Sequence, residues 1–472
     1  MAKLLFLAVV FPIVIPVCIM FIKAVPKARL YFFVAMLYMI SMNIANVTVF
    51  SFFPEPDWTG TARGYTITVV DILALIVVGS MLFMEDYRFS FFPRGWWLYG
   101  LYFMFGLFSG INAELPLHWS FEVERMIFMY IFFLASYNFI TYHRDLRPVI
   151  YTISVSLFIM FVVGVYQKYL GGKFQISSTM PHQNSMGLFC IMYSSILLGA
   201  LFNEPLRPRD YAIMFPGLIG GAALLVFSLS RGGMVCFVMA IMIVLVLSLI
   251  YGGMSRRKVA LVVVMSLAVI LPAIKAAPQL IRRFENAPEA SKITRINLAL
   301  CATRIAHDHF LGIGLNNFAL YSGWGSPYAP EQFANFRATD STRNTGGVVE
   351  TIYLLVAAEC GWGGLAALLG WFFYYFRMAL LNVLYLKYRR CFGISIGIFA
   401  GMTSNFIHST LEWSLKQHSN FYQLMFVFAL TATIYVTNVT RRSAEKREYE
   451  AKLRQRLEAA KPWHKRPSAG RR

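Results

Sequence analysis

VCFVMAIMIVLVLSLIYGG, residues 235–253, decides the fold class. It carries no charge, and as a helix rising about 1.5 Å per residue it covers a bilayer core of roughly 30 Å. LLFLAVVFPIVIPVCIMFI (4–22) is a second run of this kind. Over the whole chain 58% of residues are hydrophobic and 14% charged. The short alternating segments of a β-barrel are absent from the sequence. The expected fold is all-α, a polytopic transmembrane helix bundle.

Each long apolar run is long enough to be a span. About thirteen result, near 4–22, 30–50, 65–84, 96–110, 121–141, 148–170, 184–202, 211–229, 232–252, 259–276, 349–376, 392–409 and 420–440. Alternate connections are basic: KAVPKAR (23–29), EDYRFSFFPR (85–94), HRDLR (143–147), NEPLRPRD (203–210), SRRK (255–258) and KYRR (387–390). They share a side with the basic tail 441–472. The positive-inside rule makes that side cytoplasmic, with the N-terminus outside and the C-terminus inside. The same rule accounts for the net charge of +20 without nucleic acid, for which no motif is present. The first run has basic residues behind it and no small-residue cleavage site, so it reads as a retained helix and not a signal peptide.

Four parts follow: membrane helices over 1–276, a long external loop over 277–348, membrane helices over 349–440, and the tail. Glu448–Lys452 and Glu450–Arg454 give the tail helical spacing. It reads as a topology determinant near anionic lipid or as a partner-binding segment. Within the loop, 298–310 has helical character and 312–330 is rich in turn residues. Cys18, Cys190, Cys236 and Cys360 lie in apolar runs, Cys391 at a helix edge and Cys301 in the loop. That pattern implies neither a disulfide framework nor a metal cluster.

FSLSRGGMV (227–235) is the sharpest local signal. Gly232 and Gly233 open a helix on the external side, where backbone N–H groups and the helix dipole favour an anion. Arg231 beside them adds a guanidinium able to grip phosphate in a bidentate fork. The competing reading is an interfacial arginine snorkelling to headgroups. Arg295 is a second external arginine, and Arg304, nine residues on, falls on the opposite helix face. His307 and His309 flank Asp308 without further ligands at metal spacing. His182, at the external mouth of a span, suits a helix cap, a lipid contact or a substrate contact. In ETIYLLVAAECG (350–361), Glu350 lies at the external mouth. Glu359 is about 13 Å deeper and on the other face, so the two cannot pair as acid and base. Glu359 reads as a buried acid satisfied by a neighbour, and Glu350 as a site candidate.

SRGG after a span, then R-x-N-L-A-L-C, GIGLNNF and E-T-I-Y-L-L-V-A-A-E-C-G together resemble the O-antigen ligase and Wzy-type polymerase superfamily. The resemblance covers about residues 180–365. It implies an integral membrane glycosyltransferase of the GT-C type, without metal or cofactor, in the bacterial inner membrane. Its donor would be a glycan on undecaprenyl diphosphate, used at the periplasmic face. It further implies that Arg231 and Arg295 bind the diphosphate; Glu350, a site candidate by its depth, could then serve as the catalytic base for the acceptor hydroxyl. Gly232, Tyr353, His182 and Asn317 are then substrate-binding candidates. Ligases carry H-N-x-Y-L here; this chain keeps Tyr353 and Leu354 but has Glu350 and Thr351 in place of His-Asn. That departure favours a polymerase extending exopolysaccharide, capsule or O-antigen from lipid-linked repeat units. The rival is transfer of a finished glycan to a lipid or protein acceptor. Partners expected on this reading are the bilayer, the lipid-linked oligosaccharide, and a chain-length regulator and flippase of the same pathway. A transporter is the alternative from another class. Asp71, read as mid-helix, is its main support, but no inverted repeat is evident.

Overall fold

The computed structural model describes residues 9–44, 47–264, 266, 267, 270, 274, 289–323, 325–329, 346–386 and 390–459. The start of the first expected span, most of 268–288 and the tail beyond 459 lie outside these residues. The expected span 259–276 is only partly inside them.

The chain is a polytopic helical bundle. Its helices are α1 Ile15–Ala24, α2 Ala28–Met39, α3 Val69–Leu82, α4 Trp96–Phe108, α5 Pro116–His143, α6 Arg147–Val165, α7 Gln183–Asn203, α8 Pro208–Ser228 and α9 Arg231–Gly252. The rest are α10 Glu289–Asp308, the single turn α11 Phe318–Tyr321, α12 Ile352–Tyr385, α13 Phe392–His408 and α14 His418–Ala459. Among the described residues seven helices are long and apolar enough to cross a membrane. Val10–Ala24, Ala28–Met39 and Val69–Leu82 are apolar but shorter.

Two expected spans are shortened. Val49–Phe52 (β1) and Tyr65–Thr68 (β2) leave the helices and pair antiparallel, Val49 opposite Thr68 and Phe52 opposite Tyr65. Hydropathy windows absorb such stretches because strand pairing by β-branched and aromatic residues does not change mean hydropathy. Thr68 then caps α3: its hydroxyl accepts from Asp71 N at 3.2 Å, and the Asp71 carboxylate accepts from Thr68 N at 2.8 Å. Asp71 therefore lies in the first turn of α3, not in mid-helix, and the capping box explains it without transport.

The bundle is built around α7, whose apolar window is buried along its full length. Gly199 of α7 meets Gly393 and Gly397 of α13 backbone to backbone. A Cβ at Gly199 would come within 2.2 Å of Gly393 O, so only glycine permits this crossing. α9 is the contrast: Val235, Val238, Met242 and Val246 form an exposed stripe at helical spacing, as a lipid-facing surface requires.

α12 breaks at Gly361, where φ is 72° and ψ 177°. The break frees carbonyls that GIGLNNF (312–318) takes up: Ile313 N donates to Ala358 O and Gly314 N to Glu359 O, each at 3.1 Å. The loop motif is thus docked on the kink.

Candidate functional site

A cavity of about 460 Å³ opens at one end of the bundle. Several helix termini meet there: the starts of α7, α9 and α12, the ends of α8 and α13, and the connection 409–417. Arg231, Gly232, Arg295, Glu350 and His182 all line it, so five of the seven sequence candidates converge from four separate segments.

Arg231 is the first residue of α9. Leu229, at φ 52°, turns the chain out of α8, and Ser230 caps α9 by accepting from Gly233 N at 3.3 Å. A Cβ at Gly232 would lie 3.5 Å from the His408 ring, an ordinary contact, so glycine is not sterically required there. Arg295 projects from α10 and is ion-paired directly with Glu350, which precedes α12. The same guanidinium nitrogen reaches Glu412 Oε1 at 3.3 Å. Asn184, in the first turn of α7, donates its side-chain amide to that same oxygen. His182 is the N-cap of α7, with Nδ1 accepting from Asn184 N at 3.3 Å.

Burial sets the electrostatics. It pushes the Glu412 carboxyl up to about 7, with Glu350 adding to the rise and Arg295 opposing it. Burial also raises Glu350 above the ordinary carboxylate range, again against Arg295. It lowers His182, and Arg295 lowers it further. Among the described residues the cavity therefore holds two guanidinium groups, two carboxyls of raised proton affinity and, in His182, an imidazole that is uncharged at neutral pH.

Tyr353 and Asn317 do not line the cavity. The Tyr353 hydroxyl donates to Phe406 O at 2.8 Å, tying α12 to α13. Asn317 is buried and fastens the loop to the chain before α5, accepting from Leu115 N at 3.0 Å. Its neighbour Asn316, at φ 60°, accepts from Trp58 Nε1 (3.1 Å) and Ala62 N (3.0 Å), and donates through its own N to Glu359 Oε1 at 2.9 Å. Sequence reasoning missed Asn184, His408, Glu412 and Gln417, all of which line the cavity. The visible signal was HSTLEW (408–413), a His and a Glu in one short connection between spans.

A second charged group, reached through Lys416 next to the cavity-lining Gln417, is buried in the bundle. Lys416 pairs with Glu359 at 2.7 Å and Glu122 at 3.7 Å, and Arg125 pairs with Glu122 at 3.0 Å. All four side chains are almost fully buried. Glu359 is thus satisfied by Lys416 of the connection before α14 and by the loop backbone. Burial alone would lower the Lys416 ammonium, but Glu359 and Glu122 outweigh it and hold it above its ordinary value.

Fold and site define an integral membrane protein with a charged, mouth-located cavity. Among known families, residues 216–369 match the model of the O-antigen ligase family. That match bears out the resemblance to the O-antigen ligase and Wzy-type superfamily and supports a glycan-handling function. It includes Arg231, Arg295 and Glu350 but ends before His408 and Glu412. A comparison with curated proteins finds no significant match.

Proposed function

We propose that this chain is a bacterial polysaccharide polymerase of the GT-C type, joining undecaprenyl-diphosphate-linked repeat units at the periplasmic face of the inner membrane. The observation that carries the reading is the convergence of Arg231, Arg295 and Glu350 in one cavity at a bundle end. The acceptor sugar's hydroxyl oxygen forms a bond to the donor's anomeric carbon. The bond from that carbon to the phosphate oxygen breaks, and its electron pair leaves with the diphosphate. Arg231 and Arg295 stabilise the charge gathering on the leaving group. The hydroxyl proton passes to Glu350. No metal enters these steps. The tail of the lipid carrier stays in the bilayer and reaches the cavity from the side.

The family's description as O-antigen ligase favours a second reading, transfer of a finished glycan to another acceptor. Glycan analysis of a deletion strain separates the two. Single capped units without long chains mean a polymerase; long chains stranded on undecaprenyl diphosphate mean a ligase. Complementation with Arg231→Ala or Arg295→Ala should fail at normal protein level. Each charge-assisted contact is worth roughly 1.5–3 kcal/mol, or about one to two orders of magnitude in rate. Arg→Lys should rescue in part, because an ammonium cannot form the bidentate fork. Normal polymer from both alanine variants would leave lipid snorkelling as the better account of these arginines.

A further inference from the structure

One guanidinium, that of Arg295, serves two carboxylates, and the two are held differently. Glu412 has a side chain 10% exposed, and its Oε1 is fixed from the other side by Asn184 of α7, the most enclosed helix. Glu350 has a side chain 34% exposed and sits in the irregular segment before α12. Among the described residues Arg295 is the one side chain ion-paired with it.

Among the described residues the cavity is lined by two arginines and two glutamates, whose charges cancel when both carboxyls are ionised. A diphosphate diester brings about two negative charges, so it cannot settle on Arg295 while both carboxylates stay there. The less anchored one must yield. We propose that Glu412 is the fixed counter-ion that positions Arg295, and that Glu350 is a displaceable one. The donor's diphosphate takes the place of Glu350 on the guanidinium and frees that carboxylate to accept the acceptor's proton. This rests on the function proposed above and adds an order to it: donor first, base second. Arg295 opposes the rise in Glu350's proton affinity, so losing that pairing makes the carboxylate a stronger base. Glu412 acts through Arg295 and is a positioning residue.

The test uses the full chain in nanodiscs, with undecaprenyl diphosphate as the binding probe and lipid-linked repeat units for transfer. Glu350→Gln removes a competitor, so it should bind the probe several-fold more tightly while transfer collapses. Glu412→Gln should weaken probe binding about tenfold and raise the donor KM more than it lowers kcat. Glu412→Asp should recover part of the loss, and Asn184→Ala, which loosens the same carboxylate, should shift binding the same way. Unchanged or weaker probe binding in Glu350→Gln, or wild-type donor KM in both Glu412→Gln and Asn184→Ala, would overturn the proposal. Wild-type protein that shows the binding pattern but transfers no glycan would sink the functional reading alone.

Discussion

Two groups of four charged residues, each with two acids and two cations, lie near one another at the cavity end of the bundle. In the buried group, Glu122, Glu359, Arg125 and Lys416 contact one another at 2.7–3.7 Å and are closed off from solvent. Arg125 also donates to Lys416 O at 3.3 Å and Thr61 O at 3.2 Å, so the group staples the hairpin loop and the connection 409–417 to the helices. In the open group, Arg231, Arg295, Glu350 and Glu412 line the cavity, and the Arg295 side chain is 41% exposed. Similar formal charges therefore do opposite work. Enclosure turns one set into a fastening, while an open face leaves the other able to exchange partners with an anionic ligand.

The comparison breaks most visibly if the fastening can be removed without harm. Lys416→Ala strands the buried Glu359 carboxylate and leaves Glu122 to Arg125 alone, and uncompensated buried charge costs about 3–5 kcal/mol. Yield and thermal unfolding in detergent should both fall sharply. Wild-type melting in Lys416→Ala would mean that the buried group contributes little, and the contrast would fail.

A smaller effect sharpens the open group. Burial raises the Glu412 carboxyl to about 7. Between the ordinary carboxylate range and that value, the folded chain binds a proton that the unfolded chain has released. Stability should therefore rise as pH falls from about 7 toward the ordinary carboxylate range and decline on the way back. Glu412→Gln should flatten this slope in a melting series across the same window. A slope identical to wild type would assign the proton elsewhere.

The helical bundle was legible because a bilayer imposes length and apolarity on each crossing. Arg231 was legible because it borders a glycine-rich helix start, and Glu350 because a carboxylate at the mouth of an apolar helix stands out. The strands at 49–52 and 65–68 were not, since pairing partners are absent from a hydropathy profile. Asp71 was misplaced for the same reason: its helix starts later than the apolar run. Glu412 was passed over because HSTLEW, a His and a Glu at the end of a span, names no partner for either residue. Only the fold brings it within 3.3 Å of Arg295, over a hundred positions away. Asn317 sits in a motif that reads as a site but is consumed in holding the loop to the chain before α5.

The most direct test compares one acid from each group by the rate of glycan transfer from lipid-linked repeat units, using purified, folded variants. Glu350→Gln keeps shape and hydrogen bonding but removes the base, so transfer should collapse with melting near wild type. Glu359→Gln should lose protein yield or melting temperature, while the folded fraction transfers at the wild-type rate. Full transfer by Glu350→Gln, or a transfer defect in well-folded Glu359→Gln, would contradict the division between the open and the buried group.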